Sequence, residues 1–159
     1  MTDFTALYQR YAADIHRFVF WLIGHAADAE DITAETFARA FAGADGLRAE
    51  TAKAYLLTIA RNLCAERSRR TRPLVPLDAQ LADCAYGPEQ TAEAAAQGRR
   101  MLAALAQLSD IDRAALLLHS YEGLEQRVVA PMLGLSVSAL KVRIHRARLR
   151  LSAFLEIPG

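Results

Sequence analysis

The chain has 159 residues, 53% of them hydrophobic and 23% charged, which fits one folded domain or two small ones and argues against global disorder. The formal net charge of +1 hides a segregation: residues 1–72 hold 10 basic and 9 acidic groups, residues 73–98 hold 4 acids and no Lys or Arg, and residues 99–159 hold 9 basic and 5 acidic groups. No apolar run reaches the roughly 18 residues of a membrane span, and no basic-then-apolar leader opens the sequence, so a cytoplasmic protein is expected.

Alanine, leucine and arginine dominate, and glycine and proline are sparse and clustered, so helices are favoured throughout. A first helix over residues 3–23 is expected from Phe4, Leu7, Tyr8, Tyr11, Ile15, Phe18, Val19 and Leu22, which recur at three- and four-residue spacing. Gly24 ends it. A second, over residues 28–41, turns Ile32, Phe37, Ala40 and Phe41 inward and opens with Asp28, Glu30 and Asp31, where acids complement the helix dipole. Residues 43–50 read as a loop. A third helix begins near Thr51, buries Tyr55, Leu56, Ile59 and Leu63, and ends in the basic run Arg67, Arg69, Arg70, Arg72.

Pro73, Pro76, Gly87 and Pro88 mark residues 73–88 as a linker. Helical signal returns near Glu89, with Met101, Leu102, Leu105 and Leu108 on one stripe. Ser109 with Asp112 resembles a capping box and opens a helix carrying Ala114, Leu117, Leu118 and Tyr121, which stops at Gly123. A short helix over residues 125–133 then meets Gly134, and Ser136 suits the cap of a long helix with Val137, Leu140, Ile144, Ala147, Leu151 and Phe154 inward. Helix, short glycine-containing turn, helix is the form of a helix-turn-helix.

Five basic residues crowd between Lys141 and Arg150 of that last helix. Its outward side carries Ser138, Ala139, Val142, His145, Arg146 and Leu149. A recognition helix brings its N-terminal turns nearest the bases. Ser138, Ala139 and Val142 are thus candidates for base edges, the small apolar groups suiting thymine methyls. Lys141, Arg143, Arg146 and Arg148 are candidates for phosphates, which supply affinity more than sequence choice. His145 reads equally as a base or phosphate donor and as a plain surface histidine. Catalytic motifs are missing: there is no Gly-rich phosphate loop, nucleophile motif or metal-binding histidine pair, so neither an enzyme nor a cofactor is expected. Cys64 and Cys84 lack ligand spacing, so no metal is expected either.

Two blocks in this order resemble a known family. The first is LYQRYAADIHRF, DAEDITAETFARAF and YLLTIARNLCAERSRR; the second is LLLHSYEGLEQRVVAPMLGLSVSALKVRIHRARLRL. Together they are similar to the extracytoplasmic-function sigma factors of bacterial RNA polymerase, over nearly the whole chain. The resemblance implies an all-α protein of two small helical domains joined by an acidic linker. Residues 1–72 would be a region 2-like bundle, 73–98 the linker and the start of the next helix, and 99–159 a region 4-like helix-turn-helix.

By the same resemblance, Asp28, Glu30, Asp31, Glu35, Phe37 and Arg39 would dock on core RNA polymerase. Arg48, Lys53, Tyr55, Arg61 and Asn62 would open the −10 element and hold a flipped base, and the last helix would read the −35 element as duplex. An anti-sigma partner is also implied. Without the resemblance, the acids of the second helix read as solvated surface and Tyr55 as core. The sequence departs from the family at Ala34, Tyr55, Arg127, Val128, Pro131, Ala139 and Val142. Pro131 removes an amide inside a short helix, so a kink or a helix starting close to it is expected. Two other readings stand beside an active sigma factor: a sigma-like decoy for an anti-sigma protein, and a stand-alone helix-turn-helix repressor.

Overall fold

The computed structural model describes residues 4–43, 51–68 and 91–156, and all regular structure among them is helical. The chain divides into two compact units, Met1–Arg72 and Pro73–Gly159. The first holds α1 (Phe4–Ile23), α2 (Ala26–Ala42) and α3 (Ala52–Ser68), each packed against the other two. Its core is Ile15, Phe18, Val19 and Phe20 of α1 with Ile32, Phe37 and Ala40 of α2 and Leu56, Leu57, Ala60 and Leu63 of α3.

Gly24 takes φ +76°, a left-handed value that costs an L side chain strain, and its amide bonds the Phe20 carbonyl at 2.8 Å. This lets α2 start two residues earlier than the expected Asp28, with His25 as N-cap. Thr33 and Thr36 are buried but satisfied, since each hydroxyl donates to the carbonyl four residues back, at 2.6 and 2.7 Å.

The expected stripe of α1 holds at Leu7 and through its second half but not at Phe4 and Tyr8. Phe4 and Tyr8 are 36% and 48% exposed, while Phe20, off that stripe, is fully buried. The physical reason is that α1 packs on both α2 and α3 and so buries a wider arc than one face. Phe4 and Tyr8 instead lie over the end of α2, with Phe4 4.4 Å from Phe41 and Tyr8 edge-on to Phe37 at 4.9 Å. Tyr55 and Ile59 are half-buried rather than core, and Leu57, Ala60 and Cys64 take the interior positions.

The second unit holds α4 (Ala92–Leu105), α5 (Asp110–Leu116), which runs on as a wider π-turn over Leu117–Tyr121, then α6 (Gln126–Met132) and α7 (Val137–Leu155). Thr91 caps α4, its hydroxyl accepting from the Ala94 amide at 3.1 Å; the expected start near Glu89 and the linker at 73–88 lie outside the described residues. Ser109 caps α5 by accepting from the Asp112 amide at 3.2 Å. Arg113 stitches the corner between them, donating to the Leu105 carbonyl at 2.8 Å and the Leu108 carbonyl at 2.9 Å.

In the π-turn the Glu122 amide bonds the Leu117 carbonyl at 2.8 Å, one residue further back than in an α-helix. The extra residue changes the phase of the helix, which is why Tyr121, expected on the apolar stripe, is 55% exposed. Val137 and Phe154, expected inward on α7, are also exposed; Leu140, Ile144, Ala147 and Leu155 form its buried edge. Arg100 caps the far end of α7, donating to the Leu155 carbonyl at 3.2 Å.

Candidate functional site

The helix-turn-helix is built from α6 and α7, whose axes are bent by 96° from one another. Gly134 makes the turn at φ +68°. Its amide bonds the Pro131 carbonyl at 3.2 Å and the next amide, Leu135, bonds Ala130 at 2.9 Å, the paired bonds of a Schellman motif. Ser136 then caps α7, accepting from the Ala139 amide at 3.1 Å. Between these two caps the chain has little freedom, so the crossing angle is fixed locally.

Pro131 sits inside α6 and exposed, so the helix does not begin near it as one expectation had it; it begins at Gln126. The missing amide bond is tolerated because Arg127, whose carbonyl it would have bonded, also faces solvent. The Pro131 carbonyl is still used in the turn.

On α7, Ser138, Lys141, Val142, His145, Arg146 and Arg148 are exposed, and Ala139 and Arg143 are half-buried. Val142 and Leu149, seven residues apart, are 48% and 54% exposed on one stripe. The basic residues are not equivalent. Arg143 Nη1 is 2.9 Å from Asp112 Oδ1 of α5, and Arg148 Nη2 donates to Ser120 Oγ of the π-turn at 2.8 Å. Among the described residues the structure gives Lys141 and Arg146 no ion pair, so their charges face solvent. Reading the sequence overlooked Ser120 and gave Asp112 only a capping role. Their contacts with α7 span 28 and 31 residues, and the phase shift that presents Ser120 has no composition signal.

In the first unit, α2 points Glu30, Asp31 and Arg39 outward with Glu35 half-buried beside them. Glu35 and Arg39 pair at 2.9 Å across one turn. Asp28 and Phe37 face inward. Phe37 is 2% exposed, and Asp28 is buried against Arg67 of α3 at 3.2 Å. Arg67 also lies 3.8 Å from Asp31. It thus locks the start of α2 onto α3, beside an open notch lined by Ile32, Glu35, Leu63, Glu66 and Arg67.

Of the −10 candidates, Arg48 lies outside the described residues. Tyr55 and Asn62 share a face of α3, since seven residues bring a helix to within about 20° of its starting direction. Arg61 lies beside Asn62, its Nη1 3.4 Å from Asn62 Oδ1, and Tyr55 donates to the Gly43 carbonyl at 3.4 Å. Lys53 falls about 160° away from Tyr55 on the same projection, so it does not share the face of Tyr55 and Asn62.

Among the described residues three groups have shifted acidities, one of them Arg113, whose burial lowers its pKa against the opposing charge of Asp110. Burial lowers the His16 pKa, with Glu30 partly opposing, and burial raises the Cys64 thiol to about 12. Among the described residues no three His, Cys, Asp or Glu side chains gather as a metal site, and no single helix is long and apolar enough to cross a membrane.

A three-helix bundle with an acidic helix, followed by a helix-turn-helix with a basic second helix, is the make-up of an RNA polymerase sigma factor. Residues 7–73 match Sigma-70 region 2 and residues 98–151 match Sigma-70, region 4. The chain is 37% identical over 150 residues to the ECF RNA polymerase sigma factor SigL of Mycobacterium tuberculosis, across 89% of this chain and 82% of that one. In fold it is similar to the sigma factor RpoE of Bartonella quintana, solved with the anti-sigma factor NepR, at a TM-score of 0.80 and 24% identity over the whole of both chains. It also resembles CnrH, solved in complex with the cytosolic domain of CnrY, at a TM-score of 0.72 and 25% identity over 98% of this chain and 89% of that one. The protein belongs to the ECF sigma factors of RNA polymerase, regulatory proteins of promoter recognition and transcription initiation.

Proposed function

We propose a division of labour between the two units. Residues 1–72 bind core polymerase and open the −10 element, and residues 99–159 hold the −35 element as duplex. The observation that carries this reading is α7: a helix held at 96° to its partner, with Ser138, Val142 and His145 outward and cationic side chains on both flanks. Its first turns suit base edges, and its flanks suit phosphates.

On α2 the polymerase contacts are Glu30, Asp31, Glu35 and Arg39, with Asp28 and Phe37 holding the helix in place from beneath. On α3 the −10 contacts are Tyr55, Arg61 and Asn62, with Arg48 preceding the helix in sequence and Lys53 off the face that Tyr55 and Asn62 share. The protein acts in the cytoplasm, without catalysis of its own, and is held in check by an anti-sigma partner. The complex of CnrH with the cytosolic domain of CnrY supports such a partner by analogy.

In-vitro transcription tests the reading. Purified protein is added to bacterial core RNA polymerase on a genomic promoter library, and RNA 5′ ends are sequenced. Discrete start sites sharing motifs at −10 and −35 are expected. Association with core but no start sites would replace this reading with the decoy. Tight duplex binding without core would favour a repressor.

A further inference from the structure

Two arginines on opposite sides of the buried edge of α7 reach back to the same element, and they meet chemically different groups there. Arg143 meets a carboxylate: Asp112, in the first turn of α5, is 2.9 Å away and largely covered, with 18% of its side chain exposed. Arg148 meets a neutral hydroxyl: Ser120, in the π-turn, accepts from Nη2 at 2.8 Å. The first contact cancels a charge, whereas the second only directs one.

A guanidinium has five N–H donors in a rigid fork, and a serine hydroxyl occupies one of them. Arg148 therefore keeps its full charge and its remaining donors for an anion. Its long side chain is also held in place before any ligand arrives, which reduces the ordering cost of binding. Arg143 is in the opposite position. A phosphate approaching it competes with Asp112 for the fork and is repelled by the carboxylate.

The π-turn is what makes the Ser120 contact available. An extra residue per turn changes the phase of the helix after Leu117, turning Tyr121 to solvent and Ser120 toward Arg148. We propose that Ser120 is a positioning residue that presets Arg148 as a phosphate contact. Asp112, in contrast, takes Arg143 out of the phosphate set and makes it a strut between α5 and α7. This inference rests on the reading of α7 as the duplex-binding helix.

The test uses the full-length protein assembled with core RNA polymerase, bound to a duplex that carries only the upstream, −35 part of a promoter it uses. Affinity is measured as a function of salt. Wild type must first prefer this duplex to one with a scrambled −35 element; no preference sinks the reading of α7 itself, before the arginines are compared.

With that preference established, Arg148→Ala lowers the slope of log affinity against log salt by about 0.9, one phosphate. Ser120→Ala keeps the slope but weakens binding roughly three- to tenfold, the loss of one preset hydrogen bond. It adds nothing in an Arg148→Ala background, and Ser120→Thr restores wild-type affinity. Arg143→Gln leaves the slope unchanged while lowering the melting temperature.

An unchanged slope in Arg148→Ala would overturn the phosphate contact. An equal loss from Ser120→Ala in both backgrounds would make Ser120 merely structural. A fall of about 0.9 in the slope for Arg143→Gln would return Arg143 to the phosphate set.

Discussion

At the residue scale, Arg146 is the plainest case. It is exposed on α7, and among the described residues it meets no acid, so its charge is available to DNA without competition. Arg146→Ala is expected to weaken promoter binding and reduce the log–log salt slope by about 0.9; an unchanged slope removes it from the phosphate set. His16 is a different kind of single-residue effect. It is half-buried in α1, and desolvation lowers its pKa below the ordinary 6.5. Its neutral form is the one the fold accommodates, so its contribution to stability is fully present above 6.5 and is lost as pH falls from there toward the folded-state pKa. The urea midpoint of the wild type is expected to drop between pH 7.5 and 5.5. His16→Gln should flatten that drop, and an equal drop in both proteins would assign the acid sensitivity to other groups.

At the scale of elements, α6 shows what a short helix can absorb. Its seven residues include Pro131, yet both caps of the turn that follows are formed. Pro131→Ala restores one amide donor on an exposed face and should stabilise the protein by about 1 kcal/mol, visible as a higher melting temperature. No gain would mean that the proline's restriction of the unfolded chain offsets the missing bond. The caps at Ser109 and Ser136 and the turn glycines at 24, 123 and 134 were legible because each depends on a single residue type at a single place. The arc of α1 was not legible. Phe20 lies off the stripe that a one-sided helix would show, and its burial depends on α1 packing against two neighbours. The π-turn was hidden for a related reason: Leu117–Tyr121 has the composition of an ordinary helix, and only the contact of Ser120 with Arg148 of α7 gives the extra residue a use. For the site, residue types on α2 and α7 could be read from the sequence, but not which of them the fold already engages. Asp28 with Arg67, and Arg143 with Asp112, are pairs 39 and 31 residues apart that no local pattern reveals.

At the scale of the whole molecule, two units with separate cores predict that damage to one interrupts a different step from damage to the other. Asn62→Ala, on exposed α3 surface, is expected to impair strand opening while leaving polymerase binding nearly intact. Permanganate footprinting should then show closed complexes at wild-type occupancy, and loss of polymerase binding would instead make Asn62 structural. Arg146→Ala should reduce occupancy of the promoter while any complex that forms opens normally. The two defects combined should multiply in transcript yield, because separated sites add in free energy.

The outward face of α7 has a consequence for how such a protein changes over time. Ser138, Val142 and His145 are exposed, while Leu140, Ile144 and Ala147 on the reverse side hold the helix to its unit. On the proposed function, folding and reading are thus written on opposite sides of one rod. Substitutions on the outer side should alter stability by no more than about 0.5 kcal/mol, the usual range for surface positions. On the proposed function, replacing three or four of these outer side chains should therefore change the DNA sequence that α7 prefers while the scaffold beneath them stays unchanged.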